Sequence, residues 1–148
     1  MNLIISETRR PVRVSVLHLD GELNGTNYEI LIEEAKRLFR DGSRDLILDL
    51  GRLTYISSAG LAALHQVGRL YREDVQSSPE KGWAAFRAID RDRGKGPAKH
   101  VKLCSPRDQV LETINLAGFS SLFEIFTDMP QAVASFQPAV PVMESSVR

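Results

Sequence analysis

The sequence holds a single cysteine, no apolar run approaching a membrane span, and no surplus of either charge. Each of these absences removes a class of function. Cys104 alone closes no internal disulfide, and its place in the apolar stretch 101–104 predicts a buried free thiol, as in a reducing cytoplasm. A bilayer span takes roughly 20 consecutive apolar residues, and no stretch here comes near that. The N-terminus MNLIISETRRP has only the three apolar residues Leu3 to Ile5 in a row, with no cationic region ahead of them, so it predicts no signal peptide. Nineteen basic residues balance nineteen acidic ones for a formal net charge of zero. No overall field therefore draws the chain to nucleic acid or to an anionic membrane.

Catalytic signatures are missing as well. There is no G-x-S-x-G elbow, Walker A loop, dinucleotide fingerprint or metal-ligand spacing. The histidines His18, His65 and His100 are scattered. His65 follows Ser58 by seven residues on one expected helix, roughly 10 Å along the axis at 1.5 Å per residue, beyond the hydrogen-bond reach that a nucleophile and its base require. Glu33 and Glu34 fall on the solvated side of a helix, and Gly94-Lys95-Gly96 is only a fragment of a phosphate loop. The expectation is a protein that is not an enzyme and carries no cofactor and no metal.

What is present is the composition of an ordinary globular domain, with 43% hydrophobic and 26% charged residues in a chain of 148, long enough to bury a core. Leu3 to Ile5 and Val12 to Leu19 read as strands, the second alternating Val12, Val14, Val16 before Gly21-Glu22-Leu23-Asn24-Gly25 breaks it. Tyr28, Leu31, Ile32, Ala35, Leu38 and Phe39 then fall on one helical face, ended by Asp41-Gly42. Leu46 to Leu50 is a short apolar strand. A helix from about Ser58 to Arg72 carries Leu61, Leu64, Val67 and Leu70. Val101 to Cys104 resumes as strand; Pro106 opens a helix through Val110, Leu111, Ile114 and Ala117, with Gly118 as its cap. Leu122 to Phe126 is read as the last strand, and Asp128 caps a short helix through Phe136. Between these elements, 74–99 reads as a solvated insertion. It holds the only tryptophan, Trp83, with Phe86 and Ile89 at helical spacing, and a local excess of basic residues. From Gln137 the tail reads as disordered.

The stretch around which the rest is arranged is 46–64. A buried strand, Leu46 to Leu50, leads through Tyr55-Ile56 to Ser57-Ser58-Ala59-Gly60-Leu61, with Leu64 behind, so two hydroxyls stand at a helix N-terminus. The first amides of a helix lack internal partners, and the macrodipole adds roughly half a positive charge there. A serine at such a point is a cap, the wall of an anion site or a site of modification.

This pattern resembles the signature of the STAS domain, in particular that of the bacterial anti-sigma factor antagonists. The strand and helix order over about Leu3 to Phe136 fits it, with the insertion set aside. The resemblance implies a single α/β domain over 1–136 with a mixed central β-sheet and helices packed against it. It also implies phosphorylation of the serine two positions before the glycine, which is Ser58. Members commonly carry aspartate where this chain has Ser57, and often a second hydroxyl residue where it has Ala59. Asn24 corresponds to a polar or acidic position in the loop after the second strand; as a residue it is also simply a turn former beside Gly25. Gly60 has two readings, close approach of a partner or tight packing of helix on sheet. Asp49 is read first as structural.

On this resemblance the expected surface is Asn24, Ser57, Ser58 and Gly60, and the expected partner is a cytoplasmic, kinase-type anti-sigma factor that spends its own ATP on Ser58. A serine phosphatase of the PP2C type would reset the cycle. Two other readings stay open: a STAS scaffold in a larger signalling or transport assembly that never carries phosphate, and a sensor that takes a small anion at the helix N-terminus.

Overall fold

The computed structural model describes residues 1–9, 12–72, 87, 89, 91–92, 94 and 96–136. The order is β1 (Asn2–Thr8), β2 (Val14–Leu23), α1 (Tyr28–Arg40), β3 (Leu46–Ile56), α2 (Ser58–Leu70), β4 (Val101–Cys104), α3 (Asp108–Leu116), a 3₁₀ turn (Phe119–Ser121), β5 (Ile125–Phe126) and α4 (Met129–Ala134). The sheet runs β1-β2-β3-β4-β5, antiparallel between the first two strands and parallel thereafter. It is therefore the mixed sheet with helices packed against it that the STAS resemblance implied.

Sequential parallel strands joined by right-handed crossovers put their connecting helices on one face. Leu31, Ala35 and Leu38 of α1, Ala63, Leu64 and Val67 of α2, and Val110 and Ile114 of α3 share a core with Leu17, Leu19, Leu46, Leu48, Leu50 and Leu103. Alternation sends the neighbouring strand residues the other way. Val14, Val16, Ile47 and Cys104 form a smaller cluster with Ala132 and Val133 of α4. Among the described residues, one face is thus deeply covered and the other is covered by a single short helix.

Two strands differ from the sequence reading. The glycine-containing segment after Leu19 does not end β2; Gly21 takes a positive φ of 112° and the strand continues to Leu23. β3 likewise continues past Leu50 to Ile56. Its pairing with β2 slips by one residue twice, between His18 and Asp20 and again between Gly21 and Glu22, so the inward residues after Leu50 are Leu53 and Ile56. Each extra residue resets the inward phase of the bulged strand, and a three-residue spacing of apolar positions does not read as strand.

The last strand is also shorter than Leu122 to Phe126. Gly118 takes the left-handed conformation (φ 77°) just past α3, as its expected capping role requires. The chain then makes a 3₁₀ turn in which Phe119 and Phe123 pack together at 6.2 Å between ring centroids. Leu122 and Phe123 are buried by packing, and only Ile125 and Phe126 pair with β4.

Of the 74–99 insertion, Trp83 and Phe86 lie outside the described residues, as does the tail 137–148. Ile89 and Asp92 are described and buried, so these two side chains pack onto the domain where the sequence reading had the segment solvated, while Arg87, Arg91, Gly94, Gly96, Pro97 and Lys99 are exposed. Asp92 meets His65 Nε2 at 2.7 Å, Arg72 at 3.4 Å and Arg69 Nε at 3.7 Å, all from α2 and the turn that follows it.

Candidate functional site

The site is built where β2 and β3 deliver their C-terminal ends to the start of α2. Ser57 is extended (φ −94°, ψ 177°) and is the N-cap of α2; its Oγ accepts from Gly60 N–H at 3.2 Å and its carbonyl from Leu61 N–H at 2.9 Å. Its own amide donates to the Leu23 carbonyl at 3.0 Å. That bond fixes the last residue of β2, and so the loop that begins at Asn24, beside the helix N-terminus.

Asn24 organises the loop. Its Oδ1 accepts from the Thr26 amide at 3.0 Å and the Thr26 hydroxyl at 2.7 Å, its amide donates to Asn27 Oδ1 at 2.9 Å, and its carbonyl accepts from Tyr28 N–H at 2.9 Å. This is an Asx turn leading into α1.

Ser58, the first residue of α2, is exposed, and among the described residues its hydroxyl has no hydrogen-bond partner. The two adjacent serines thus divide two roles. Ser57 spends its hydroxyl on the cap and Ser58 offers its own to solvent. The first turn of α2 contains no acidic residue, so nothing on the helix opposes an added negative charge at its positive end.

Gly60 is buried. A Cβ there would lie 2.8 Å from both the Leu23 carbonyl oxygen and Ile56 Cγ1, so packing of α2 on the ends of β2 and β3 accounts for this glycine. It packs beneath the first turn of α2, just behind the two serines.

Thr54 and Tyr55, just before Ser57 and the buried Ile56, are exposed, as is Ile30 in α1. Comparison with known proteins adds the decisive observation. A protein of Bordetella bronchiseptica named "Putative anti-sigma factor antagonist BtrV" is 32% identical over 123 residues, covering 83% of this chain and 86% of that protein. The STAS domain profile matches residues 6–77.

The chain belongs to the anti-sigma factor antagonist family of STAS-domain proteins. An anti-sigma factor antagonist from Mycobacterium paratuberculosis superposes with a TM-score of 0.65 at 15% identity, over 93% of this chain and 94% of that one. The Bacillus cell fate determinant SpoIIAA in its phosphorylated form matches at 0.50 and 13% identity, over 90% of this chain and all of the other. At these identities the two structures speak for the STAS fold alone. The anti-sigma factor antagonists are binding regulators, and the family implies an anti-sigma factor as partner.

Beyond this site, Asp49 lies within β3 rather than at its end. Its Oδ1 accepts from the Gly51 amide at 3.0 Å, in keeping with its structural reading, and its Oδ2 meets His18 Nδ1 at 2.6 Å, which the sequence did not show. Cys104 is buried, and burial pushes its thiol up from the ordinary value. Among the described residues no helix is long and apolar enough to cross a membrane, and no group of His, Cys, Asp or Glu is arranged to hold a metal ion.

Proposed function

We propose that this chain is the switchable antagonist of a kinase-type anti-sigma factor, bound while Ser58 is unmodified and released when Ser58 is phosphorylated. The observation that carries the reading is the contrast between Ser57, committed to the cap, and Ser58, exposed and unpartnered at the same helix end. Asn24, Ser57, Ser58 and Gly60 form the docking region in this reading: Asn24 shapes the flanking loop, Ser57 and Gly60 set the height of the helix, and Ser58 meets the partner. Phosphate adds about −1.5 to −2 charge at neutral pH. The helix N-terminus accommodates that charge, whereas a partner pocket shaped for a neutral hydroxyl does not. The switch therefore acts by breaking the interface with little change of fold, and a PP2C-type serine phosphatase restores the binding form. Such a cycle belongs in the bacterial cytoplasm, where ATP serves the kinase.

The test is intact-mass spectrometry of the protein and of Ser58→Ala after incubation with host extract and ATP. One phosphate on the native chain and none on the variant is the expected outcome. Ser58→Asp should bind the cognate kinase at least about tenfold more weakly, a loss of about 1.4 kcal/mol, with unchanged unfolding. Absence of phosphate on both chains, beside a working control, favours the scaffold reading.

A further inference from the structure

The register of the first three strands assembles a side-chain chain that no local motif announces. β1 pairs with β2 so that Ile4 faces His18 and Ser6 faces Val16, which sets Ser6 diagonally beside His18 on one face; β3 then places Asp49 opposite His18. Ser6 Oγ lies 2.9 Å from His18 Nε2, and His18 Nδ1 lies 2.6 Å from Asp49 Oδ2. Asp49 is itself held by the Gly51 amide at 3.0 Å. A carboxylate only accepts, so Nδ1 carries the proton; in the neutral imidazole Nε2 is then the acceptor of the Ser6 hydroxyl proton. Nucleophile, base and the group that orients the base are thus in hydrogen-bond reach in the order that activates a serine.

The surroundings fit an acyl group. Ser6 and His18 border a cleft of about 370 Å³ whose other walls include Val16, Met129, Pro130 and Val133, the apolar edge of α4. Ser6 is exposed on an edge strand, so a planar acyl donor reaches it from the open side. This cleft opens on the face of the sheet opposite the α1–α2–α3 layer.

We propose that Ser6 is a base-activated nucleophile that takes up an acyl group from activated esters and thioesters, with His18 as the base and Asp49 as a positioning residue. Ser6 Oγ attacks the carbonyl carbon while its proton passes to His18 Nε2. The tetrahedral adduct collapses to acyl-Ser6, and the departing phenolate or thiolate takes the proton from His18. One acyl group is transferred per chain. This proposal is independent of Ser58 and of any anti-sigma partner.

The experiment uses the full chain and p-nitrophenyl butyrate, followed by intact mass and peptide mapping. A single butyryl group on the peptide containing Ser6, removed by hydroxylamine as an ester must be, is the expected product. Ser6→Ala should lose it. His18→Ala should slow it about a hundredfold or more, with partial recovery when imidazole is added to the solution. Asp49→Asn should slow it at least about tenfold, and Asp49→Glu should restore part of the rate, with far-UV circular dichroism verifying that each variant folds. The proposal is overturned if the native chain gains no hydroxylamine-sensitive group, if the group maps elsewhere, or if folded His18→Ala reacts as fast as the native chain.

Discussion

A methyl group added at Gly60 would press on the Leu23 carbonyl oxygen and on Ile56 Cγ1, both 2.8 Å away. One of these is backbone and neither can swing aside, so Gly60→Ala must lift the start of α2. Overpacking of this kind costs about 1–3 kcal/mol, to be seen as a lower urea midpoint with unchanged slope. The two serines before it separate in the same assay. Ser57→Ala loses the bond to the Gly60 amide and with it about 0.5–2 kcal/mol. Ser58→Ala, at an exposed position, stays within about 0.5 kcal/mol of the native chain. If Ser58→Ala were the costlier of the two, the division of roles between cap and free hydroxyl would be wrong. The sequence carried the Ser-Ser pair and its helix end plainly. Which serine is the cap depends on where the helix begins by one residue, and that is fixed by the bond from Ser57 N–H to Leu23, a contact between distant segments.

Among the elements, α1 was legible because its apolar face follows the helical period without a break, from Tyr28 to Phe39. β3 was legible only to Leu50, because two bulges shift the phase of its inward residues. Leu122 to Phe126 misled for a different reason: a short apolar run does not say whether it is buried as strand or as packed turn, and here the Phe119–Phe123 contact decides for the turn. Where α2 ends, Tyr71 is fully buried, edge-on to Phe39 at 5.2 Å, with its hydroxyl donating to Ser43 Oγ at 3.0 Å. That bond ties the end of α2 to the α1–β3 connection. Burial pushes the Tyr71 phenol up from its ordinary value, against the smaller opposing effect of the Ser43 bond. A raised value means that the folded state favours the neutral phenol. The stability this contributes is complete below the unfolded value and is lost as pH climbs through the folded one. Urea titrations at rising alkaline pH should therefore show a decline that is smaller in Tyr71→Phe. At neutral pH that variant should cost about 0.5–1.5 kcal/mol for the lost hydrogen bond.

For the whole molecule, α2 is the rod on which two separate features are mounted. Its N-terminus presents Ser58, and its C-terminal half holds His65 and Arg69, which with Arg72 surround the buried Asp92 of the insertion. Thirteen residues make a rod of roughly 20 Å, so the two ends do not touch. Asp92 and His65 are 27 residues apart, His18 and Asp49 are 31, and His100 and Asp45 are 55. Each histidine that looks scattered in the sequence therefore has an aspartate partner that only the assembled sheet and insertion supply, and no local pattern carries such pairings. Asp92→Asn keeps the shape but removes the charge facing His65, Arg69 and Arg72. Losing charge-assisted bonds to a buried carboxylate costs about 1.5–3 kcal/mol, so the thermal midpoint should fall by several degrees. Because the rod separates the two ends, phosphate uptake at Ser58 and kinase affinity, measured well below that midpoint, should stay within about twofold of native, a difference well under 1 kcal/mol. A variant that kept its midpoint would show that Asp92 does not hold the insertion to α2. One that kept its fold yet lost kinase binding would show that the insertion belongs to the docking surface.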